Sequence, residues 1–435
     1  MTNTDRYLVV STDAHAGPSL RGDLRQYCPS SYLRDFDAYA DEVESRPWNR
    51  RARARRDGND EPTDRLSAQW LAAFDRVRAC EGLHDPVARL HDMDVDGIAA
   101  EVIFAGGENG EELPFLGLGL SAGQRDRDAE LRAVGGHIWN RWLGEYTAAE
   151  PNRLIGVMQI PVWDIPAAIR EIEWGARAGL RVANLPAPRG DFPSYASQAY
   201  EPLWRACEAN AFVLATHSGA GEPVLGAEES VGCLLMAAEG HFHSRRGLWQ
   251  LIFGGVFERH PELKIVFTEQ RATWVPETLR DLDSIHRAHK WLEVQTHETS
   301  YATATSTPIL PRSPSEYWAD HCFLSGSFLA PFEVRRRGEL GLQNLMWGSD
   351  YPHTEGTWPR TRLAMRYALA GVPADECRVI LGELALRVFG LDEAALRTVA
   401  DRIGPTVAEI DEPIDIDQVP IEERFLAFRN LGAYA

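Results

Sequence analysis

Two stretches far apart in the chain carry residues suited to holding a metal ion. Near the N-terminus, Val9-Val10-Ser11-Thr12-Asp13-Ala14-His15 ends an apolar run with an Asp-x-His pair. Alternate residues of an extended chain point the same way, so Asp13 and His15 can share one target. Near the other end, Gly348-Ser349-Asp350-Tyr351-Pro352-His353 follows a short apolar run. A carboxylate that closes a buried strand needs a strong partner for its charge, and for Asp350 the natural partner is a cation. His217 and Glu269 close two further apolar runs. Two histidines plus carboxylates suit a divalent transition metal: zinc first, with manganese or iron as alternatives. Each residue also has a plainer reading. Asp13 can be a turn residue, His15 a satisfied core histidine, Asp350 a helix cap, and Glu269 the ion-pair partner of Arg271.

The elements that must position these residues follow a regular pattern. Apolar runs at 7–11, 98–104, 154–160, 180–185, 212–216, 264–268, 322–325 and 345–348 read as strands, and helical periodicity lies between most of them. Eight strands alternating with helices predict a (β/α)8 TIM barrel, in which residues just past the strand C-termini share one mouth. An open doubly wound sheet is the alternative, but no GxGxxG or GxxxxGK[ST] loop follows any strand. Residues 21–86 interrupt the pattern as a polar, poorly periodic insertion after strand one. The barrel domain is placed at 1–400, and an acidic extension at 401–435 is expected to pack on the barrel or on a partner subunit. Within the insertion, Arg50, Arg51, Arg53, Arg55 and Arg56 form a basic run that reads as a solvated excursion before it reads as an anion clamp.

Several motifs in this order resemble the amidohydrolase superfamily: Asp13-x-His15, Thr216-His217-Ser218-Gly219, Leu263 to Phe267 and Gly348 to His353. Met93 to Ile98, Asn140 to Leu143, Asn184 to Pro188 and Glu201 to Trp204 extend the likeness, which runs from residue 7 to about 392. The branch it is most similar to is the amidohydrolase-related group that includes aminocarboxymuconate-semialdehyde decarboxylase and resorcylate decarboxylases. The resemblance implies one metal ion held by Asp13, His15, His217 and Asp350. At strand six the group often has a histidine, whereas this chain has Glu269, which when ionised can only accept a hydrogen bond.

The reaction expected first is hydrolysis of a small cyclic or aromatic amide, ester or lactone by a metal-activated water. Asp350 would carry the proton and Glu269 would orient the water or the substrate. The alternative is non-oxidative decarboxylation of an aromatic or enoic acid, with Arg271 helping to hold the acid and Asp350 protonating carbon; a non-catalytic binding barrel is the third reading. Arg271 and His353 are expected to touch the substrate or to support the metal ligands from behind. His241 and His243 lie close to the same mouth but are not expected to be ligands.

Composition limits the partners. The net charge of −19 argues against nucleic acid and anionic membranes, and no apolar run is long enough to span a bilayer. Six scattered cysteines without CxxC spacing point to reduced thiols in a cytoplasmic protein acting on a small molecule. Ile414, Val419, Ile421, Phe425 and Phe428 in the acidic tail suggest a homodimer.

Overall fold

Eight strands pair in parallel, each with its neighbour in sequence: β1 (Val10–Ala16), β2 (Ala100–Ala105), β3 (Leu154–Gln159), β4 (Val182–Asn184), β5 (Val213–His217), β6 (Lys264–Thr268), β7 (Cys322–Ser327) and β8 (Leu345–Gly348). A parallel bridge between Ala14 and Tyr351 brings the two edge strands together, so the sheet closes into a (β/α)8 barrel. The computed structural model describes residues 5–56, 65–123, 127–219, 232–295, 310–327 and 329–420.

Alternation along the strands sorts the core into two layers. Val102, Val157, Val182, Val213, Ala215 and Val266 fill the inside of the barrel together with Leu384, Val388, Phe389 and Leu396, which come from the C-terminal helices. Ile103, Met158, Leu214, Ile265 and Phe267 face outward and pack with Trp139, Trp204 and Trp318 of the surrounding helices. His217 continues the inward register of Val213 and Ala215. A shift of one residue would turn it away from the mouth.

The first strand is Val10–Ala16 and not 7–11. It holds Ser11, Thr12, Asp13 and His15, all fully buried, so hydropathy alone does not mark its extent. The insertion is also more ordered than its composition suggests. Leu33–Ser45 is a helix that buries Phe36, Tyr39, Ala40 and Val43, and helices Pro47–Arg56 and Arg65–Arg78 follow. Tyr39 Oη donates to Glu112 at 2.9 Å and Arg46 pairs with the same carboxylate, which ties the insertion to the loop after β2. The basic run lies on Pro47–Arg56, and the side chains of Arg51, Arg53, Arg55 and Arg56 fall outside the described residues.

The segment expected as one helix over 374–389 is divided by a π-helical turn, Val379–Glu383. Helix Val407–Asp411 buries Val407 and Ile410, and Glu409 meets Arg362 at 3.2 Å. Of the apolar tail residues, Ile421, Phe425 and Phe428 lie outside the described residues. The cysteines described, Cys28, Cys80, Cys207, Cys322 and Cys377, form no disulfide. Among the described residues no helix is long and apolar enough to cross a membrane.

Candidate metal centre

The site is built at the seam where the barrel closes. β1 carries one extra residue relative to β2: Ser11 pairs with Glu101, but Ala14 pairs with Ile103. A bulge of this kind bends a strand and redirects its side chains, and here it falls at Thr12 and Asp13. Across the seam the Asp350 N–H donates to the Asp13 carbonyl at 2.9 Å, and the His15 N–H donates to the Tyr351 carbonyl at 2.6 Å. Asp350 and Glu269 both have left-handed backbones, with φ of 55° and 53°. Such a conformation is costly for a residue with a Cβ and tends to occur at functional sites.

The close approach of the seam strands requires Gly348, where a Cβ would lie 2.7 Å from the Asp13 Cβ and 3.0 Å from Ser327 Oγ. Replacing Gly348 with alanine should therefore destabilise the barrel by about 1–3 kcal/mol, the usual range for overpacking. Thermal unfolding with and without added manganese checks this: the expected result is a lowered midpoint and a smaller metal-induced rise, and an unchanged midpoint would refute the packing account.

Hydrogen bonding fixes how the histidines present themselves. His15 Nδ1 lies 2.8 Å from the Ala105 carbonyl, and His217 Nδ1 lies 2.8 Å from the Ser218 carbonyl. A carbonyl only accepts, so each Nδ1 carries the proton and a neutral ring leaves its Nε2 lone pair free. Both Nε2 atoms point at Asp13 Oδ1, at 3.4 and 3.3 Å, and His15 Nε2 also lies 3.2 Å from Asp350 Oδ1. Lone pairs aimed at carboxylate oxygens repel unless a proton or a cation lies between them. His15 Nε2 and both Asp350 carboxylate oxygens are buried without a hydrogen-bond partner. Asp13, His15 and His217 each place one ligand atom within 4.8 Å of the others, as do His15, Asp350 and His353. This donor set fits a divalent ion. Ser327 Oγ donates to Asp13 Oδ2, and Phe104 packs edge-on against His217 at 4.9 Å, so the ligands are braced from behind.

The surrounding charges divide the carboxyl groups by role. Burial would raise the Asp13 carboxyl, but the positive charge that the facing His217 and His15 rings can carry lowers it far below the carboxylate range. Burial likewise works against ionising Asp350, yet His353 and His15 keep its pKa lowered. Glu269 goes the other way: burial, then the charges of Asp350, Glu355 and Asp13, push it well above a normal glutamate. Two carboxyls with lowered pKa therefore sit next to one whose pKa is raised.

The positions named from sequence do not all fall into one shell. Glu269 lies against His217, with Oε2 3.4 Å from Nδ1. His353 stacks on His15 with ring centres 3.8 Å apart, donates from Nε2 to the Gly106 carbonyl at 2.6 Å, and turns Nδ1 to Asp350 Oδ1 at 3.0 Å. It thus lies against the candidate ligands His15 and Asp350, one of the two placements expected for it. Arg271 lies within electrostatic reach of His241 and Glu333. His241 Nδ1 meets Ser218 Oγ at 2.9 Å, while His243 faces Glu239 at 3.9 Å along its own helix.

Sequence reasoning missed several neighbours. Glu108 and Glu355 join His353 in a further acidic group at the mouth. Both sit in loops where no periodicity marks them. Arg89, fully buried, pairs with Glu101 and donates to the His15 carbonyl at 2.7 Å, supporting that residue from the far side. The Asp-x-His strand end was a sufficient cue to look for such a brace.

The amidohydrolase family model matches residues 110–391, well over half of the chain. The chain belongs to the amidohydrolase family. Among solved structures, this amidohydrolase is similar to 5-carboxyvanillate decarboxylase from Sphingomonas paucimobilis (21% identity, 89% of this chain and 100% of that one, TM-score 0.56). It is also similar to the 5-carboxyvanillate decarboxylase of Novosphingobium aromaticivorans complexed with manganese and 4-hydroxy-3-methoxy-5-nitrobenzoic acid (19%, 90% and 100%, TM-score 0.59). The third is 2,6-dihydroxybenzoate decarboxylase from Rhizobium (17%, 89% and 99%, TM-score 0.55). No curated protein matches the chain.

These structures correct the expectation of a hydrolase, since all three are decarboxylases. The physical reason lies in Glu269. A hydrolase of the kind expected uses an ionised carboxylate to orient water, whereas burial and neighbouring charge raise the pKa of this one well above that of a normal glutamate.

Proposed function

We propose that this amidohydrolase is a metal-dependent, non-oxidative decarboxylase of a small aromatic or enoic carboxylic acid. The observation that carries the reading is the placement of Glu269, a carboxyl whose pKa is raised by burial and by the charges of Asp350, Glu355 and Asp13, 3.4 Å from a histidine of the candidate ligand cluster. Asp13, His15, His217 and Asp350 would hold the ion. Two oxygen and two nitrogen donors suit manganese at least as well as zinc, and a similar solved decarboxylase contains manganese. A divalent ion bound there supplies positive charge that fixes the oxygens of the acid and offsets charge developing on them.

The chain's own residues then account for the proton. Glu269 transfers its carboxyl proton to the carbon that bears the departing carboxylate. The carbon–carbon bond breaks, its electron pair returns to the ring or alkene, and carbon dioxide leaves. Glu269, now an anion in a site that disfavours its charge, takes a proton from solvent. One proton is consumed in each turnover and no electrons are exchanged. His353, held between Asp350 and the Gly106 carbonyl, fixes the orientation of the Asp350 carboxylate.

The test is carbon dioxide release, followed under anaerobic conditions, from hydroxybenzoic and enoic acids by the manganese-loaded protein. One carbon dioxide for each product, abolished by chelation and restored by manganese, is the expected result. Ester or lactone hydrolysis without carbon dioxide release would overturn the reading.

A further inference from the structure

We propose that Arg245 forms a second anion subsite beside the metal cluster, taking a substrate carboxylate other than the one lost. Arg245 lies on helix Gly232–Phe253, one turn beyond His241. His241 meets Ser218, the neighbour of His217, so this face of the helix is turned to the mouth.

The guanidinium is fixed in direction and plane. Its Nε donates to Gln270 Oε1 at 2.8 Å, Gln270 Nε2 donates to Ser244 Oγ at 2.8 Å, and Ser244 Oγ donates to the His241 carbonyl at 2.9 Å. Gln270 and Ser244 are both buried, and Gln270 directly follows Glu269. The guanidinium also lies over the Trp274 ring, 4.6 Å from its centre. Three side chains thus hold one arginine in place, and among the described residues neither of its Nη groups has a hydrogen-bond partner.

Several other buried or half-buried arginines have a carboxylate partner: Arg89 has Glu101, Arg141 has Glu171 and Arg337 has Glu376. Arg245 makes no ion pair among the described residues. Burial without a counter-charge lowers its pKa to about 10, so the fold gives up stability to keep it there. A pair of parallel Nη–H donors matches the two oxygens of a carboxylate, and the planar fork makes the match directional. The ligand class is therefore a dicarboxylic acid, one carboxyl at the metal cluster and one on Arg245. This assignment rests on the decarboxylase reading only for the fate of the first carboxyl.

Calorimetry on the manganese-loaded full chain tests it, with isophthalate, terephthalate and benzoate as probes. At least one diacid should bind the wild-type protein about tenfold or more tightly than benzoate, as expected for one added charge-assisted pair. Arg245→Met should abolish that preference while leaving benzoate affinity unchanged, and Arg245→Lys should restore part of it. Equal binding of diacids and benzoate by the wild-type protein would overturn the subsite even if the variants fail to fold. So would a diacid preference that persists in Arg245→Met, or displacement of the diacid by inorganic phosphate at equal concentration. An Arg245-dependent diacid preference without carbon dioxide release would leave the subsite standing and refute the reaction alone.

Discussion

Replacing Asp350 with asparagine should remove the metal and the activity while the barrel stays folded. The substitution keeps the shape of the side chain and the backbone bonds of the seam but removes its negative charge. Both oxygens of Asp350 are buried without a hydrogen-bond partner, and its nearest charged neighbours are His15 and His353. Asparagine offers a neutral oxygen and an N–H₂ group to a place built for an anion. Metal content should fall from about one equivalent to near none, as elemental analysis would show. Turnover should fall by about a thousandfold or more, since a bound ion contributes several kcal/mol to stabilising developing charge. Circular dichroism should be unchanged. A variant that keeps its metal and its rate would remove Asp350 from the ligand set.

Replacing Glu269 with glutamine should have the opposite signature, with metal retained and turnover reduced by about 10²–10⁴-fold, the range for loss of a general acid. Glutamine preserves volume and polarity but carries no transferable proton. The pH profile separates this from a packing defect. The Glu269 pKa is raised by burial and by Asp350, Glu355 and Asp13, so the reactive protonated form is present below that raised value and is lost as pH increases through it. Wild-type kcat should therefore fall on the alkaline side, and that limb should be absent from the Glu269→Gln variant. If the variant kept the limb, the proton would have to come from another group.

Much of the barrel was legible because parallel strands buried on both faces leave continuous apolar runs. The strands at 264–268 and 345–348 were placed to the residue. The strand that matters most was placed too early, because Ser11, Thr12, Asp13 and His15 are buried through hydrogen bonding and charge, which hydropathy does not register. The helix Leu33–Ser45 had a signal in Phe36, Tyr39, Ala40 and Val43 at helical spacing, obscured by the acidic residues between them. The strand ends carrying Asp13, His15, His217, Glu269 and Asp350 were readable as a convergent set. Which donors face one another was not, because that depends on a one-residue bulge and on two left-handed residues. Glu108, Glu355 and Arg245 come from loops and an outer helix, where only the folded chain brings them near the mouth.

The ligand set spans the chain from Asp13 to Asp350, and its two ends meet only where β1 and β8 join. During synthesis, the first pair of donors is therefore made long before the last one exists. A growing chain that has not yet emerged past β8 presents Asp13 and His15 without their counterpart. Metal loading at the proposed set would in this way be deferred until the barrel can close, and an ion there would act as a clasp on a finished product and not as a template for an unfinished one.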